Sequence, residues 1–496
     1  MTGRRLFRVL RWAALAAVAP VLWACNARSL EAPKLKPDRT YTKTFQQSIN
    51  RNVDLLFMVD NSSSMTPLQT NLLNNFPTFM TTLESAPEGL PNIHVAVVSS
   101  DMGAGTGAIK GCGASGGLAN PGGDRGIFQS TARGACTATG LQAGATFISN
   151  VAGQPNYTGK LEDVFTCIAA LGADGCGFEH QFASVVRALG ADGNAPPVEN
   201  QGFLRNEAYL VIVMITNEDD CSSGVEPQFF DIQSNWNQGS QLGGAFRCNE
   251  FGHLCSIGGG PLAPPDRNAP NNDATATVTY DSCVSNDKGY LLSTKDVANA
   301  IKGLKQDPSQ VLVAAITGAA QPYKVHWNPN MDTSCGAASC PWPEISPSCT
   351  ATAGPAIGST ADPAVRVAQF VNEFGANGLL LSICDESFAP ALTTLARDVG
   401  DRLTPPCITE AIADKPGTSD PDCSVVSHTS NGHGGSIDSV VPYCGSNGGA
   451  APCWKLTAGT CVDSGLSGRI VDISPDPAVS TATAQNATID CSLATP

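Results

Sequence analysis

The sequence predicts an α/β fold: a doubly wound, mostly parallel sheet with helices on both faces, long disulfide-stapled insertions, and a Cys-rich irregular or β C-terminal region. Three observations lead there. Residues 54–59, 209–215 and 311–316 are short, unbroken apolar runs bounded by polar residues, as expected of strands buried on both faces. Helical periodicity falls between them, and such alternation implies a parallel-dominated sheet. Several connections are far longer than the few residues that join elements in compact domains, and they carry Gly, Pro and Cys.

Taken in order, the chain begins with Arg4, Arg5, Arg8 and Arg11, then an apolar run from Trp12 to Trp23. That run is too short to span a bilayer as a helix, and with its basic flank it reads as a signal peptide over 1–24. Arg4-Arg5-Leu6-Phe7 has a partial likeness to a twin-arginine export signal, although a plain basic start is the simpler reading. Residues 25–48, with two prolines and two lysines in 33–37, read as a tether. The first strand is expected at 54–59. A helix over 67–83 follows, with apolar residues at Leu68, Leu72, Leu73, Phe76, Phe79, Met80 and Leu83 and a kink at Pro77. The remaining strands are expected at 93–98, 209–215, 311–316 and 379–383. Helices are expected at 161–171, 178–189, 294–304, 363–374 and 388–399. Insertions fall near 103–160, 221–293 and 318–362 of a domain spanning 49–402, and 403–496 forms a separate Cys-rich region.

The chain holds 496 residues, 42% of them apolar, with a net charge of −15 and 19 cysteines. The negative surface disfavours nucleic acid and suits divalent cations. The cysteine number points to an oxidising compartment. Setting Cys25 aside leaves 18 cysteines, which could pair completely. Close pairs such as Cys167/Cys176 and Cys248/Cys255 are plausible loop closures. No C-x-x-C pair occurs, which argues against zinc ribbons and redox dithiols.

The candidate chemistry centres on Asp60-Asn61-Ser62-Ser63-Ser64, at the carboxyl end of the first strand and leading into a helix. Open α/β sheets bind ligands at that edge. One carboxylate and two hydroxyls spaced two residues apart can aim oxygens at one point, and hard cations such as Ca2+ and Mg2+ prefer oxygen. The competing reading is a Ser-rich turn capping the helix. Asp101, after the second strand, lies on the same edge, where a loop turn is the simpler role.

These residues resemble the D-x-S-x-S motif of the von Willebrand factor A family, over roughly residues 50–400. The resemblance implies a metal-ion-dependent adhesion site at Asp60, Ser62 and Ser64, with an open coordination position that a protein partner fills with an acidic side chain. The family's Thr position falls nearest Glu179, and its Asp position falls on Asn217, with Glu218 and Asp219 beside it. More carboxylates would favour Ca2+ over Mg2+. Leu22-Trp23-Ala24-Cys25 resembles a bacterial lipobox, which implies lipidation at Cys25; Trp23 departs from the small residue usual there. The runs 202–210 and 217–222 resemble Cys-rich lipoproteins of Gram-negative bacteria that carry this domain.

Other signals are weaker. Gly113-Ala114-Ser115-Gly116-Gly117 matches a hydrolase elbow without its flanking strand and helix. Gly103–Ala108 partly matches a dinucleotide fingerprint without the following helix. His428 and His433 lack a third metal ligand. The expectation is therefore a cell-envelope lipoprotein, exported and lipid-anchored, in the outer rather than the inner membrane. It binds a protein partner through Ca2+ or Mg2+ and is not an enzyme. The alternative is an envelope scaffold in which the metal only stabilises the fold.

Overall fold

The computed structural model describes residues 39–494 apart from 47–50, 86–88, 105–111, 113–117, 119–120, 225–243, 267–275, 329–341, 404–405, 431–435, 447, 462–465 and 475–484. The expected signal peptide, Cys25 and most of the tether lie outside the described residues, as do the hydrolase-like Gly113–Gly117 run and His433. Thr40–Gln46, within the expected tether, form a strand.

The largest sheet has seven strands, labelled here along the chain: β1 (Asn52–Val59), β2 (Asn92–Ser99), β3 (Ile148–Val151), β4 (Gln154–Pro155), β5 (Tyr209–Ile215), β6 (Val311–Thr317) and β7 (Gly378–Ser382). Their spatial order is β7-β6-β5-β1-β2-β3-β4. The five strands from β7 to β2 are parallel, each in register with its neighbour. Strands β3 and β4 add on antiparallel. The other sheets with resolved pairings are antiparallel, among them Cys453–Thr460 with Ser467–Ser474 and Tyr323–Asn328 with Trp342–Ser346. The molecule is thus a set of mixed sheets with helices and several disulfides. The parallel pairing expected of a doubly wound sheet is found among the strands with unbroken apolar runs and does not extend beyond them. The polar, Cys-bearing insertions form small antiparallel sheets that no periodicity announces.

Seven helices matter here: α1 (Thr66–Glu84), α2 (Leu161–Ala169), α3 (Gln181–Leu189), α4 (Gly244–Gly252), α5 (Thr294–Lys302), α6 (Val365–Asn372) and α7 (Ala389–Leu403). Because side chains alternate along a strand, Leu55, Phe57 and Val59 of β1 face one way and pack with α1, α2 and α7. Leu56 and Met58 face the other way and pack with α3, α5 and α6. Pro77 lies inside α1 without ending it. No described helix is long and apolar enough to cross a membrane.

Cysteine pairing differs from sequence proximity. Cys167 bonds Cys136, and Cys176 bonds Cys112. Cys248 bonds Cys221, and Cys255 bonds Cys283. The expected closures 167/176 and 248/255 are therefore incorrect: each partner sits on a neighbouring loop rather than along the same one. The six cysteines beyond residue 403 pair among themselves, as Cys407–Cys461, Cys423–Cys491 and Cys444–Cys453. That region is β structure, with strands such as Cys423–Ser430 and Ser436–Val441.

The chain forms two compact units, and they do not divide at residue 402. The small one comprises 39–43, 410–424 and 489–494 among the described residues. It is tied by Cys423–Cys491 and by backbone bonds such as Ala413 N–H to Ser492 O. The large one contains the seven-stranded sheet and the rest.

Candidate metal-binding edge

The sheet order places a topological switch between β1 and β5. The chain leaves β1 toward β2 on one side, whereas β5, β6 and β7 extend on the other. Connections diverge there and open a crevice beyond the carboxyl ends of the strands. Asp60 follows β1 and Thr216 follows β5, so both stand at that crevice, and the Asp60 amide donates to Ile215 O at 2.9 Å.

Asp60 is fully buried. Its Oδ1 accepts from the Ser62 amide at 2.8 Å and from the Ser100 hydroxyl at 3.3 Å. Its Oδ2 accepts from the Thr216 hydroxyl at 2.8 Å. Gln69 of α1 donates to the Asp60 carbonyl at 2.8 Å and fixes the loop from behind. The Ser62 and Ser64 hydroxyls lie 3.3 Å apart, and Ser64 donates to Asn217 Oδ1 at 3.1 Å. Asn217 is itself held by donation to Thr360 O at 3.0 Å. Asp60, Ser62, Ser64 and Asn217 therefore converge. Ser62 and Asn217 are buried, and Ser63 and Ser64 are exposed, so the group opens on the Ser63–Ser64 side.

Glu179 joins this group from the loop before α3. The loop is clamped by Cys112–Cys176, by the His180 amide on Ser100 O (3.0 Å) and by His180 Nε2 against Gly103 O (2.8 Å). At its start, Gly175 passes so close to Asn61 that a Cβ there would fall 2.3 Å from Asn61 Oδ1. Glu179 is buried and its Oε1 has no hydrogen-bond partner among the described residues. Burial first, then the charges of Glu218 and Asp60, push its carboxyl well above the ordinary range, and its side chain hydrogen-bonds to Glu218. Burial and Asp60 also push Glu218 up. Asp60 is raised by burial, against the hydrogen bonds from Ser62, Thr216 and Ser100. Among the described residues none of these three acids forms an ion pair, although each is withdrawn from water.

Asp219 and Asp220 face other tasks. Asp219 Oδ2 meets His253 Nε2 at 2.7 Å and the Arg366 amide at 2.8 Å, and its Oδ1 accepts from the Val367 amide at 3.0 Å. Burial pushes Asp219 up, but His253 and those amides outweigh it and hold the carboxyl below its ordinary range. The free amides at the start of α6 and the helix dipole favour an anion in this place. Asp220 accepts from the first amides of α3 through Phe182 (3.0 Å) and pairs with Arg366 at 3.1 Å. Asp101 folds back on its own loop and accepts from the Gly103 amide at 2.8 Å. His428 is engaged by Asp438 (2.8 Å) and Thr488 (2.9 Å).

Sequence reasoning did not single out Ser100, Thr216 or Asp362. Ser100 and Thr216 each follow a strand that points at the crevice, and that position was the available signal. Asp362 lines a small acidic cavity with Glu179, Glu218, Asp219 and His253, and burial followed by the charge of Glu218 pushes it well up. Among the described residues, no three His, Cys, Asp or Glu side chains are grouped so as to hold a metal by themselves. The donors that converge are one carboxylate, two hydroxyls and an amide oxygen, with Glu179 behind them. This hard-oxygen set fits Mg2+ or Ca2+ rather than a softer metal.

No protein-family model matches the chain, and no curated relative does. Solved structures do. The pilus adhesin SpaC of Lactobacillus rhamnosus GG, in its open conformation, matches 93% of this chain and 41% of its own at 12% identity and TM-score 0.30. The pilus adhesin RrgA of Streptococcus pneumoniae matches 92% and 58% at 11% identity and TM-score 0.28. A von Willebrand factor type A protein from Catenulispora acidiphila matches 94% and 68% at 9% identity and TM-score 0.24. The chain thus spans less than two thirds of either pilus adhesin. At these identities and scores the likenesses assign it to no family.

Proposed function

We propose that the chain is an exported, lipid-anchored binding protein of the bacterial cell envelope. In this reading a von Willebrand factor A-type domain grips a protein partner through a divalent cation, Ca2+ or Mg2+. One observation carries it: Asp60, Ser62, Ser64 and Asn217 converge at the switch point, beside a buried Glu179 oxygen that has no hydrogen-bond partner among the described residues. Asp60, Ser62 and Ser64 would hold the cation, with Asn217 and Glu179 adjoining. Glu218 would act through Glu179, and Asp219 would order the loop from α6. When bound, the cation supplies positive charge to the buried acids and a coordination point for a carboxylate of the partner. Eight disulfides among the described residues support export. The signal-like N-terminus and Cys25 support a lipid anchor. Ser62 and Ser64 hydrogen-bond to each other and Ser64 to Asn217, with no histidine partner among the described residues, which supports binding over nucleophilic catalysis.

Calorimetry with Ca2+ and with Mg2+ on the parent and on Asp60→Ala tests the site; equal heats from both proteins would sink it. A pull-down from envelope extract in Ca2+, repeated in EDTA, tests the partner. The burial of Asp60, Ser62, Asn217 and Glu179 favours a second reading, in which an enclosed cation only stiffens the fold. That reading wins if EDTA lowers the melting temperature and leaves the captured proteins unchanged.

A further inference from the structure

We propose that a second pocket of the large unit, between the 121–127 loop and the end of α3, binds a small organic anion, a carboxylate or phosphate head on a short apolar body. The pocket is an open cavity of about 390 Å³ whose walls include Arg125, Ile127, Arg187, Asp192, Asn194 and Pro197. Its size falls in the range of roughly 300–1,000 Å³ typical of small-molecule sites.

The two arginines are in different states. Arg187, on α3, is fixed: its NH1 donates to Ala195 O at 2.8 Å and meets Asp192 Oδ2 at 3.5 Å. Asp192 is also occupied, because it accepts from the Asn194 amide at 3.1 Å and from the Asn194 side chain at 3.3 Å. The acid in the pocket is therefore used to order the 192–195 turn, which leaves the second guanidinium unbalanced. Arg125 is exposed, and its side chain makes no hydrogen bond or ion pair with any described residue. Arg187's stem runs against the backbone of Gly126, where a Cβ would fall 3.0 Å from Arg187 Cβ and Cγ. The loop that carries Arg125 is thus seated on Arg187.

Backbone conformation adds a second argument. Arg125 has φ of 55°, between Gly123 at 53° and Gly126 at 67°. The left-handed region is unfavourable for a residue with a Cβ and freely open to glycine. A glycine would suit this turn better, so the arginine is there for its side chain. A planar guanidinium suits the paired oxygens of a carboxylate or phosphate. Ile127 and Pro197 offer an apolar wall to the rest of the ligand. The chain's net charge of −15 repels anions at long range, so capture depends on this local fork.

Titration of the purified protein with hexanoate, hexyl phosphate and neutral 1-hexanol, in EDTA, tests the assignment apart from the cation site. Binding of at least one anion, weakened by salt, and none of hexanol is expected; the two anions separate the head groups. Arg125→Gly should weaken anion binding by about tenfold or more while its melting temperature equals or exceeds the parent's. Arg125→Asn, which also tolerates the left-handed region, should behave the same way. Undiminished binding by both variants, equal binding of hexanol, or no binding of either anion to the parent overturns the proposal.

Discussion

The two ends of β1 each bury an aspartate, and they treat it oppositely. Asp54, near the start, is fully buried, with two cationic side chains and a histidine around it. Arg205 reaches its Oδ1 at 2.8 Å and donates its own amide to Oδ2 at 2.8 Å. Lys305 stands 3.9 Å away and His94 3.5 Å away. Asp60, just past the other end, is as deeply buried but receives only neutral donors, and its acidic neighbours Glu179 and Glu218 bring no counter-charge. Burying a carboxylate is unfavourable unless it is paired. One end is complete within the chain. The other has the charge imbalance that an external cation would relieve, and this contrast is the strongest physical argument for a metal there.

The contrast can be broken in four ways, in falling order of expected effect. Arg205→Ala leaves the buried Asp54 with only the longer Lys305 contact and no side-chain hydrogen bond from Arg205, and should destabilise the protein by about 3–5 kcal/mol in urea unfolding. A loss below ~1 kcal/mol would mean that Asp54 is already neutral in the fold. Replacing Cys112 and Cys176 by serine frees the loop that carries Glu179. It should cost about 2–4 kcal/mol by the chain-entropy account and weaken Ca2+ binding in the same calorimetric titration; unaltered affinity would remove Glu179 from the site. Ca2+ at about a hundred times its Kd should stabilise the parent by roughly 2.7 kcal/mol. Asp60→Asn should lose that gain yet melt higher than the parent in EDTA, because the amide oxygen keeps the Ser62 and Ser100 bonds, the amide nitrogen donates to a Thr216 hydroxyl that turns to Glu218 O, and the buried charge is shed. A lower melting temperature in EDTA would show Asp60 to be already compensated.

The smallest effect is the pH response of the completed end. Burial, opposed by the Phe203 carbonyl, pushes His94 down to about 4. As pH falls from 6.5 toward 4, the unfolded chain takes a proton that the folded one refuses, and stability drops. Burial pushes Asp54 up to about 6, against Arg205 and Lys305. As pH falls through 6 toward 4, the folded chain takes the proton first, and stability rises. The two contributions oppose each other between pH 4 and 6. His94→Gln should therefore gain stability relative to the parent as pH is lowered through that window. Parallel unfolding curves at pH 7 and pH 4.5 would contradict this.

The strands of the central sheet were legible because a strand covered on both faces leaves an unbroken apolar run, as in β5 and β6. The insertions were not. Strands such as His253–Ser256 and Tyr323–Asn328 are short, carry polar residues and depend on distant partners. At the site, Asp60, Ser62 and Ser64 were legible because their spacing is local, and Asn217 because it follows β5. Asp219's diversion to α6 was invisible, since Arg366, Val367 and His253 lie far along the chain. Ser100 and Thr216 looked like ordinary strand ends. The cysteines misled for the same reason: nearness in sequence carries no information about which loops meet in space.

Cys112–Cys176 and Cys221–Cys248 flank the segments that supply Glu179 and the Asn217–Asp220 turn. The consequence is one of timing. Without these two bonds the segments keep hydrogen bonds such as His180 N–H to Ser100 O and Asp219 to His253, and the unfolded chain is less constrained. Oxidation locks them in place. In the proposed reading the candidate edge would therefore reach its full rigidity only once these cysteines are oxidised, and a reduced copy would carry the sequence of the site in a looser frame.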